Sequence, residues 1–433
     1  MSAQWLGNPD ASCLPRQSNA KRRVVVTGMG VVSPIGCSVD AFWDGLLQGR
    51  CGIGPITLFD ASGYPCPYAA EVKDFDPAKI VEAKRVRTLS RPTLFGLGAA
   101  FECLENAGWH SAPGDGVCGI VGGTSNTAQA AVEDGVLLTN AAGFKATRKL
   151  WYTLTKAFPH SMASEIGRKS GFQAKALTVS TACTAGMNAI TQASELIRSG
   201  ECDAVLVPSA DATITKNLYP YFYRVKMLAD SNLPPERISR PFDAKRSGGI
   251  LGEGAGCLLL EERDHACRRN APQLCEILGS GSSGTGFAEC GDEQAAVYGT
   301  AVTIREALAD AGVSPESVNY IGCHGVSDPD LDRLETRAIK QAFGEDAARR
   351  IPMSSIKALT GIPQSAAGMM QVIATVLAIR DGVLPPTMNY EYADPDCDLD
   401  YVPNKARRNQ VRRALAWCHG FNGSDAAVVL GAL

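Results

Sequence analysis

Ala176-Leu-Thr-Val-Ser-Thr-Ala-Cys183-Thr-Ala-Gly186-Met-Asn-Ala-Ile190 runs from strand-like to helix-like sequence across one cysteine. Ahead of Cys183, Leu177 to Ser180 reads as a short buried strand. After it, Ala185, Ala189, Ile190, Ala193, Leu196 and Ile197 recur at helical spacing, and Gly200 supplies a stop. Cys183 therefore stands where a strand hands over to a helix. Helix N-termini offer unpaired N–H groups and partial positive charge. Both favour a thiolate, so the position predicts a nucleophile of lowered pKa. The same N–H groups suit the oxyanion formed when a thioester is attacked. The competing reading is one more small buried residue among fifteen cysteines.

Working outward, strand and helix patterns alternate along 433 residues. Val24 to Thr27 reads as a buried strand, with Gly28 and Gly30 in a tight turn. A dinucleotide site is weak there, because Pro34 intervenes and the third glycine is missing. Val39 to Gln48 and Leu94 to Ala107 read as helices, and Val117 to Val121 as a strand. Residues 143–170 mix aromatic and basic side chains, as a cap over a pocket or an interface layer would. A second series follows: strands at Leu274 to Gly279 and Val318 to Gly322, helices at Ala301 to Ala311, Asp332 to Phe343 and Ala366 to Arg380, and closing strands at Arg413 to Trp417 and Ala426 to Leu430. Two such series predict two α/β halves with mostly parallel sheets. The charged run Arg263 to Pro272 marks the break, giving a loose tail at 1–20 and halves at 21–265 and 266–433.

Net charge is −3 with no basic block, which argues against nucleic acid and anionic membranes as partners. No stretch is apolar for eighteen residues, so no membrane span is predicted. The fifteen cysteines are scattered without framework spacing, which fits a reducing cytoplasm.

Seven segments together resemble the ketosynthase family, the β-ketoacyl-ACP synthases of the thiolase fold. They are VVVTGMGVVSPIG (Val24 to Gly36), VSTACTAG (Val179 to Gly186), SRPFDAKRSGGILGEGAG (Ser239 to Gly256), CHGVSDPDLDRLE (Cys323 to Glu335), SSIKALTG (Ser354 to Gly361), LPPTMN (Leu384 to Asn389) and HGFNGSD (His419 to Asp425). The resemblance is closest to the type II condensing enzymes of fatty-acid and polyketide biosynthesis. It implies a thiolase-like fold of two similar βαβαβ-type halves in five layers, α-β-α-β-α, usually as a homodimer. It implies acyl transfer to Cys183 from a phosphopantetheine thioester, delivered by an acyl carrier protein or CoA, then Claisen-type condensation with a decarboxylating malonyl thioester. No permanently bound cofactor or metal is implied. Cys183 matches the nucleophile, and Phe421 the residue whose backbone N–H completes the oxyanion hole. His324 matches the first of two enolate-stabilising histidines. Lys357 matches a lysine that acts beside an acidic residue such as Glu335. Glu253 matches a glutamate near the site, or is a buried structural carboxylate.

The chain also departs from the pattern. Ile362 stands where the second histidine follows TG, and cannot donate a hydrogen bond. Val326 and Asp328 replace two threonines, Gly249 a phenylalanine, Asn422 a glycine, and His419 an aromatic. Three readings follow: a condensing enzyme with an atypical Cys-His-Ile site, His324 being aided by another group such as His419; a non-decarboxylating acyltransferase; or a partner subunit like the chain-length factors, which pair with ketosynthases. Retention of Cys183 and His324 argues against the third, although a heterodimer with a related chain stays open.

Overall fold

The computed structural model describes residues 22–109, 116–126, 128–230, 232–284 and 291–433. The expected tail at 1–20 lies outside them. The strands in chain order are β1 (Val24–Val32), β2 (Ile53–Pro55), β3 (Tyr68–Ala70), β4 (Cys118–Gly123), β5 (Lys175–Val179), β6 (Ala204–Ala212) and β7 (Glu253–Glu262). Then follow β8 (Cys275–Gly284), β9 (Tyr320–Gly322), β10 (Met353–Ser354), β11 (Val383–Leu384), β12 (Arg407–Arg408), β13 (Arg413–Gly420) and β14 (Ser424–Gly431). β2–β3 and β11–β12 are small hairpin-like pairs outside the main sheet.

The main sheet has the order β10-β9-β13-β14-β8-β1-β7-β6-β4-β5. Read outward from its middle, both sides repeat one pattern. β7 lies antiparallel to β1 and β6, while β4 is parallel to β5 and β6. β14 lies antiparallel to β8 and β13, while β9 is parallel to β10 and β13. The chain is thus an internal duplication of one five-strand unit. The halves meet in one continuous sheet, because Val24–Val26 of β1 pair antiparallel with Cys275–Ile277 of β8.

Helices complete five layers. Arg91–Asn106 and Ser161–Ser170 cover the outer face of the first unit. Glu293–Ala311 packs on the outer face of the second, with Pro329–Phe343 against it. Ala185–Arg198 and Ser365–Asp381 lie between the two units and touch strands of both. Ser365 to Ile379 are all buried, as a helix sandwiched between sheets must be. Here lies the largest core, joining Val26, Ile190, Met369, Ile373, Val376 and Val428.

Two local expectations change. The glycines after Val24 to Thr27 do not turn the chain, since β1 continues to Val32 with a bulge between Val26 and Gly28. They admit a helix instead: a Cβ at Gly30 would lie 1.9 Å from the Ala99 carbonyl oxygen. The strand before Cys183 is not buried. β5 ends the sheet, with Leu177 45% exposed. An apolar run cannot report by itself whether a strand lies at the centre or the edge of a sheet.

Candidate active site

Cys183 sits two residues before the helix Ala185–Arg198, and Ala182 before it takes a left-handed φ of 53°. That conformation is costly for a side-chain-bearing residue and turns the chain sharply between β5 and the helix. Cys183 is almost fully buried. Its pKa is not lowered, as the helix-start argument expected. Burial pushes it up to about 11, against the opposing effects of Lys357 and of the backbone N–H groups of Cys183 and Phe421. Desolvation of a thiolate outweighs the helix terminus here. The backbone N–H groups of Cys183 and Phe421 still favour the thiolate, and a pair of such donors is what an oxyanion hole requires. Phe421 belongs to the loop that joins β13 to β14, where the Gly423 N–H donates to Gly420 O at 3.0 Å.

His324 follows β9 and is buried. Its Nδ1 accepts the His419 N–H at 3.2 Å, with Cys418 Sγ at 3.3 Å and Lys357 Nζ at 3.4 Å. Donors around Nδ1 leave the ring proton on Nε2. Burial first, then Lys357 and His419, hold its pKa well below the ordinary value. His324 is therefore a neutral imidazole with Nε2–H as donor, suited to polarising a carbonyl or holding an enolate oxygen. Lys357 Nζ also hydrogen-bonds His324 O.

Two carboxylates on the helix Pro329–Phe343 hold this loop. Glu335 accepts from His324 N at 2.9 Å, Gly325 N at 2.7 Å and Trp417 Nε1 at 2.6 Å. Asp332 accepts from Val326 N at 2.9 Å, Ser327 N at 3.1 Å and Phe242 N at 2.8 Å. An i, i+3 pair thus captures four successive amides, 324–327. Burial raises the carboxyl pKa of both, that of Asp332 to about 7. Asp328 is the N-cap of the same helix, taking the Asp330 and Leu331 N–H groups at 2.9 Å each.

The remaining expected positions fall at different places. Ile362 is buried, and Leu251 bridges its backbone. A Cβ at Gly249 would lie 2.5 Å from Ile362 Cδ1, so the two departures from the family pattern fit each other. His419 Nδ1 pairs with Asp425 Oδ1 at 2.7 Å, and Asp425 Oδ2 accepts from Thr300 Oγ1 at 2.9 Å. Strand alternation turns Cys418 towards Cys183, whose carbonyl oxygen its sulfur meets at 3.4 Å, and turns His419 to the outer face. There a cavity of about 20 Å³, room for one water, touches Thr300, His324, Glu335, Trp417 and His419. Glu253 is engaged elsewhere: Arg91 clasps both its oxygens and Val72 N donates to it at 2.9 Å. In the aromatic run 219–223, Tyr219, Phe222 and Tyr223 pack with Ile56, Ala69 and Leu251 while Tyr221 is exposed, and Tyr219 Oη bonds Cys66 O at 2.9 Å.

Two residues at the site were not singled out in the sequence. Asp211 on β6 is fully buried and gathers Thr124 Oγ1, Ser125 N, Ser125 Oγ and the Ser365 N–H. Gln364 approaches Cys183 Sγ with its amide oxygen at 3.6 Å. The signal for Asp211 was a single charge within an otherwise uncharged strand, and Gln364 carried none.

Sequence comparison adds to this geometry. The profile of the β-ketoacyl synthase N-terminal domain matches residues 21–266, and that of the C-terminal domain residues 274–391. The chain belongs to the β-ketoacyl synthase family. It is similar to 3-oxoacyl-[acyl-carrier-protein] synthase 2 of Coxiella burnetii, 38% identical over 415 residues, 95% of this chain and 98% of the relative. It is also similar to the ketoacyl synthase alpha subunit of the tetracenomycin polyketide synthase of Streptomyces glaucescens, 35% identical over 423 residues, 95% and 97% of the two chains. Among solved structures, the ishigamide ketosynthase/chain length factor superposes with a TM-score of 0.86 at 31% identity, over 96% of this chain and 100% of that one. A type II polyketide ketosynthase in complex with its acyl-carrier protein gives 0.84 at 30%, with the same coverage. The fold is thiolase-like, and the protein is a condensing enzyme of the ketosynthase family, of the fatty-acid and polyketide class. Among the described residues, no cluster of three His, Cys, Asp or Glu side chains offers a metal site, and no helix is long and apolar enough to cross a membrane.

Proposed function

We propose that this β-ketoacyl synthase transfers an acyl group from a phosphopantetheine thioester to Cys183 and then condenses it with a malonyl thioester. The observation that carries the reading is that Cys183 and His324 are buried together around Cys418, whose sulfur lies 3.4 Å from Cys183 O and 3.3 Å from His324 Nδ1. In the first step Cys183 Sγ bonds to the acyl carbonyl carbon, the two N–H groups hold the oxyanion, and the pantetheine sulfur leaves with the proton that Cys183 gives up. In the second, the malonyl C–C bond breaks and CO2 leaves. The enolate oxygen is held by His324 Nε2–H, and the enolate carbon attacks the acyl carbon and expels Cys183 Sγ. Lys357 keeps His324 neutral and oriented, and Glu335 fixes the His324 backbone. An acyl carrier protein or CoA delivers both thioesters.

Ile362 favours a second reading, an acyltransferase that loads Cys183 without decarboxylation. Intact mass after incubation with an acyl-CoA tests the first step, and CO2 release from a malonyl carrier separates the readings. An acyl adduct absent from the parent, or equally present in Cys183→Ala, overturns both.

The proposal extends to assembly: two units, 21–265 and 266–433, make one cytoplasmic protomer of a homodimer. The open edge of β5 supports this, as do the exposed Val136, Leu137, Trp151 and Leu154 on the helices Gln129–Ala142 and Thr147–Ala157.

A further inference from the structure

Gln364 combines three features that a packing residue does not need. Its backbone lies at φ 49° and ψ −120°, with the Ala366 N–H donating to Pro363 O at 3.1 Å. This is the first central position of a type II′ turn, where glycine is the usual occupant. Its side chain is buried, yet Nε2 has no hydrogen-bond partner. A buried donor left unpaired and a strained backbone are each destabilising. Third, its amide touches the reacting atom, with Oε1 3.6 Å from Cys183 Sγ. The turn is anchored independently of the amide, because the Ser365 N–H donates to Asp211 Oδ2 at 2.9 Å.

An amide is a two-faced group. A half-turn about its last bond exchanges oxygen for NH2. With Cys183 as thiol, Oε1 accepts the S–H. Once the sulfur is anionic or acylated, the same place is open to Nε2–H. Ile362 supplies no donor at the position two residues earlier, and the His419 imidazole faces the outer layer.

We infer that Gln364 is the second side-chain hydrogen-bond donor of the reacting centre, presenting Nε2–H to the thiolate of Cys183 and to the oxygen of the malonyl thioester as it becomes an enolate. The inference rests on the reading of Cys183 as nucleophile. During decarboxylation the electron pair of the broken C–C bond moves to that oxygen, and no proton leaves Gln364. The donor is neutral throughout, so it serves without a pKa near the working pH.

The test uses the full-length protein with Gln364→Leu, which keeps the bulk and removes the donor, and Gln364→Glu, which keeps the shape and leaves an acceptor. Two quantities are read: CO2 release from malonyl-CoA and from a malonyl-loaded type II acyl carrier protein, and the rate of Cys183 alkylation by iodoacetamide at pH 9, followed by peptide mapping. Loss of one such donor is expected to slow CO2 release about 100-fold and alkylation about tenfold. Self-acylation from hexanoyl-CoA, which draws on the same thiolate, should slow by about the same tenfold as alkylation. If Gln364→Leu matches the parent within about twofold in both readouts, the inference is overturned while the condensing reading stands. If the parent acylates but releases no CO2, the condensing reading falls and alkylation alone judges Gln364: a tenfold drop in both variants supports it, and an unchanged rate overturns it. Should the leucine variant not fold, the near-isosteric glutamate variant carries the comparison.

Discussion

At the residue scale, the proposed nucleophile Cys183 is shielded by burial. A thiol held at about 11 is almost entirely protonated at neutral pH. Iodoacetamide at pH 7 should therefore modify exposed Cys267 well before Cys183. Alkylation of Cys183 should climb about tenfold per pH unit without a plateau below pH 10, which a pH series with peptide mapping measures. A plateau near pH 8 would mean the thiolate is far better stabilised than burial allows. His419 makes a separate case. Its backbone N–H serves His324, whereas its imidazole serves Asp425. His419→Phe is expected to preserve CO2 release within about threefold. It should lower unfolding free energy by about 3 kcal/mol, because a buried carboxylate loses its partner. A large kinetic loss with unchanged stability would instead place the imidazole in catalysis.

At the scale of elements, the helix Pro329–Phe343 acts as a clamp on the loop before it. Asp332 gives a pH test. Its folded carboxyl titrates at about 7, while an unfolded aspartate titrates near 3.8. Between those values the native state holds a proton that the unfolded chain has released. Stability from this group is therefore full below pH 3.8 and declines as pH rises through 7. From pH 5 to 7.5 the parent should lose about 2 kcal/mol more than Asp332→Asn, measured by urea unfolding at each pH. Equal losses would show that Asp332 ionises freely in the fold. The contact between Gly249 and Ile362 gives another test. Gly249→Ala should cost about 1–3 kcal/mol, and Ile362→Ala in the same chain should recover part of it. Strict additivity in the double-mutant cycle would contradict the contact. Most elements were legible in the sequence because their signals are local: the helix Val39–Gln48 has its Ser38 cap and Gly49 stop, and apolar runs mark β6, β7 and β14. β10 was not, since two residues carry no period. Cys183 was visible from its place between a strand and a helix, whereas His324, Lys357 and Phe421 were visible only through the family resemblance. Gln364 and Asp211 were missed because their importance comes from contacts across 181 and 154 residues of chain.

At the scale of the whole molecule, the unpaired edge of β5 bears on assembly. A dimer mass is expected by light scattering at micromolar concentration, and Leu177→Asp should shift it towards monomer by setting a charge on that edge. A parent that is monomeric at those concentrations would refute the homodimer. The duplication also has an electrostatic consequence. Cys183 precedes one central helix, Gln364 precedes the other, and the two stand on matching ends of the repeated unit. The helices meet at their beginnings: a Cβ on Gly186 would lie 2.7 Å from Ser365 O. Two helix dipoles therefore point their positive ends at one spot, each equivalent to about half a charge. The centre of the molecule is thus a receptor for negative charge that passes through without remaining. The resting thiol stays neutral there, and on the proposed reaction the field is matched to oxyanion and enolate, charges that exist only while bonds are changing.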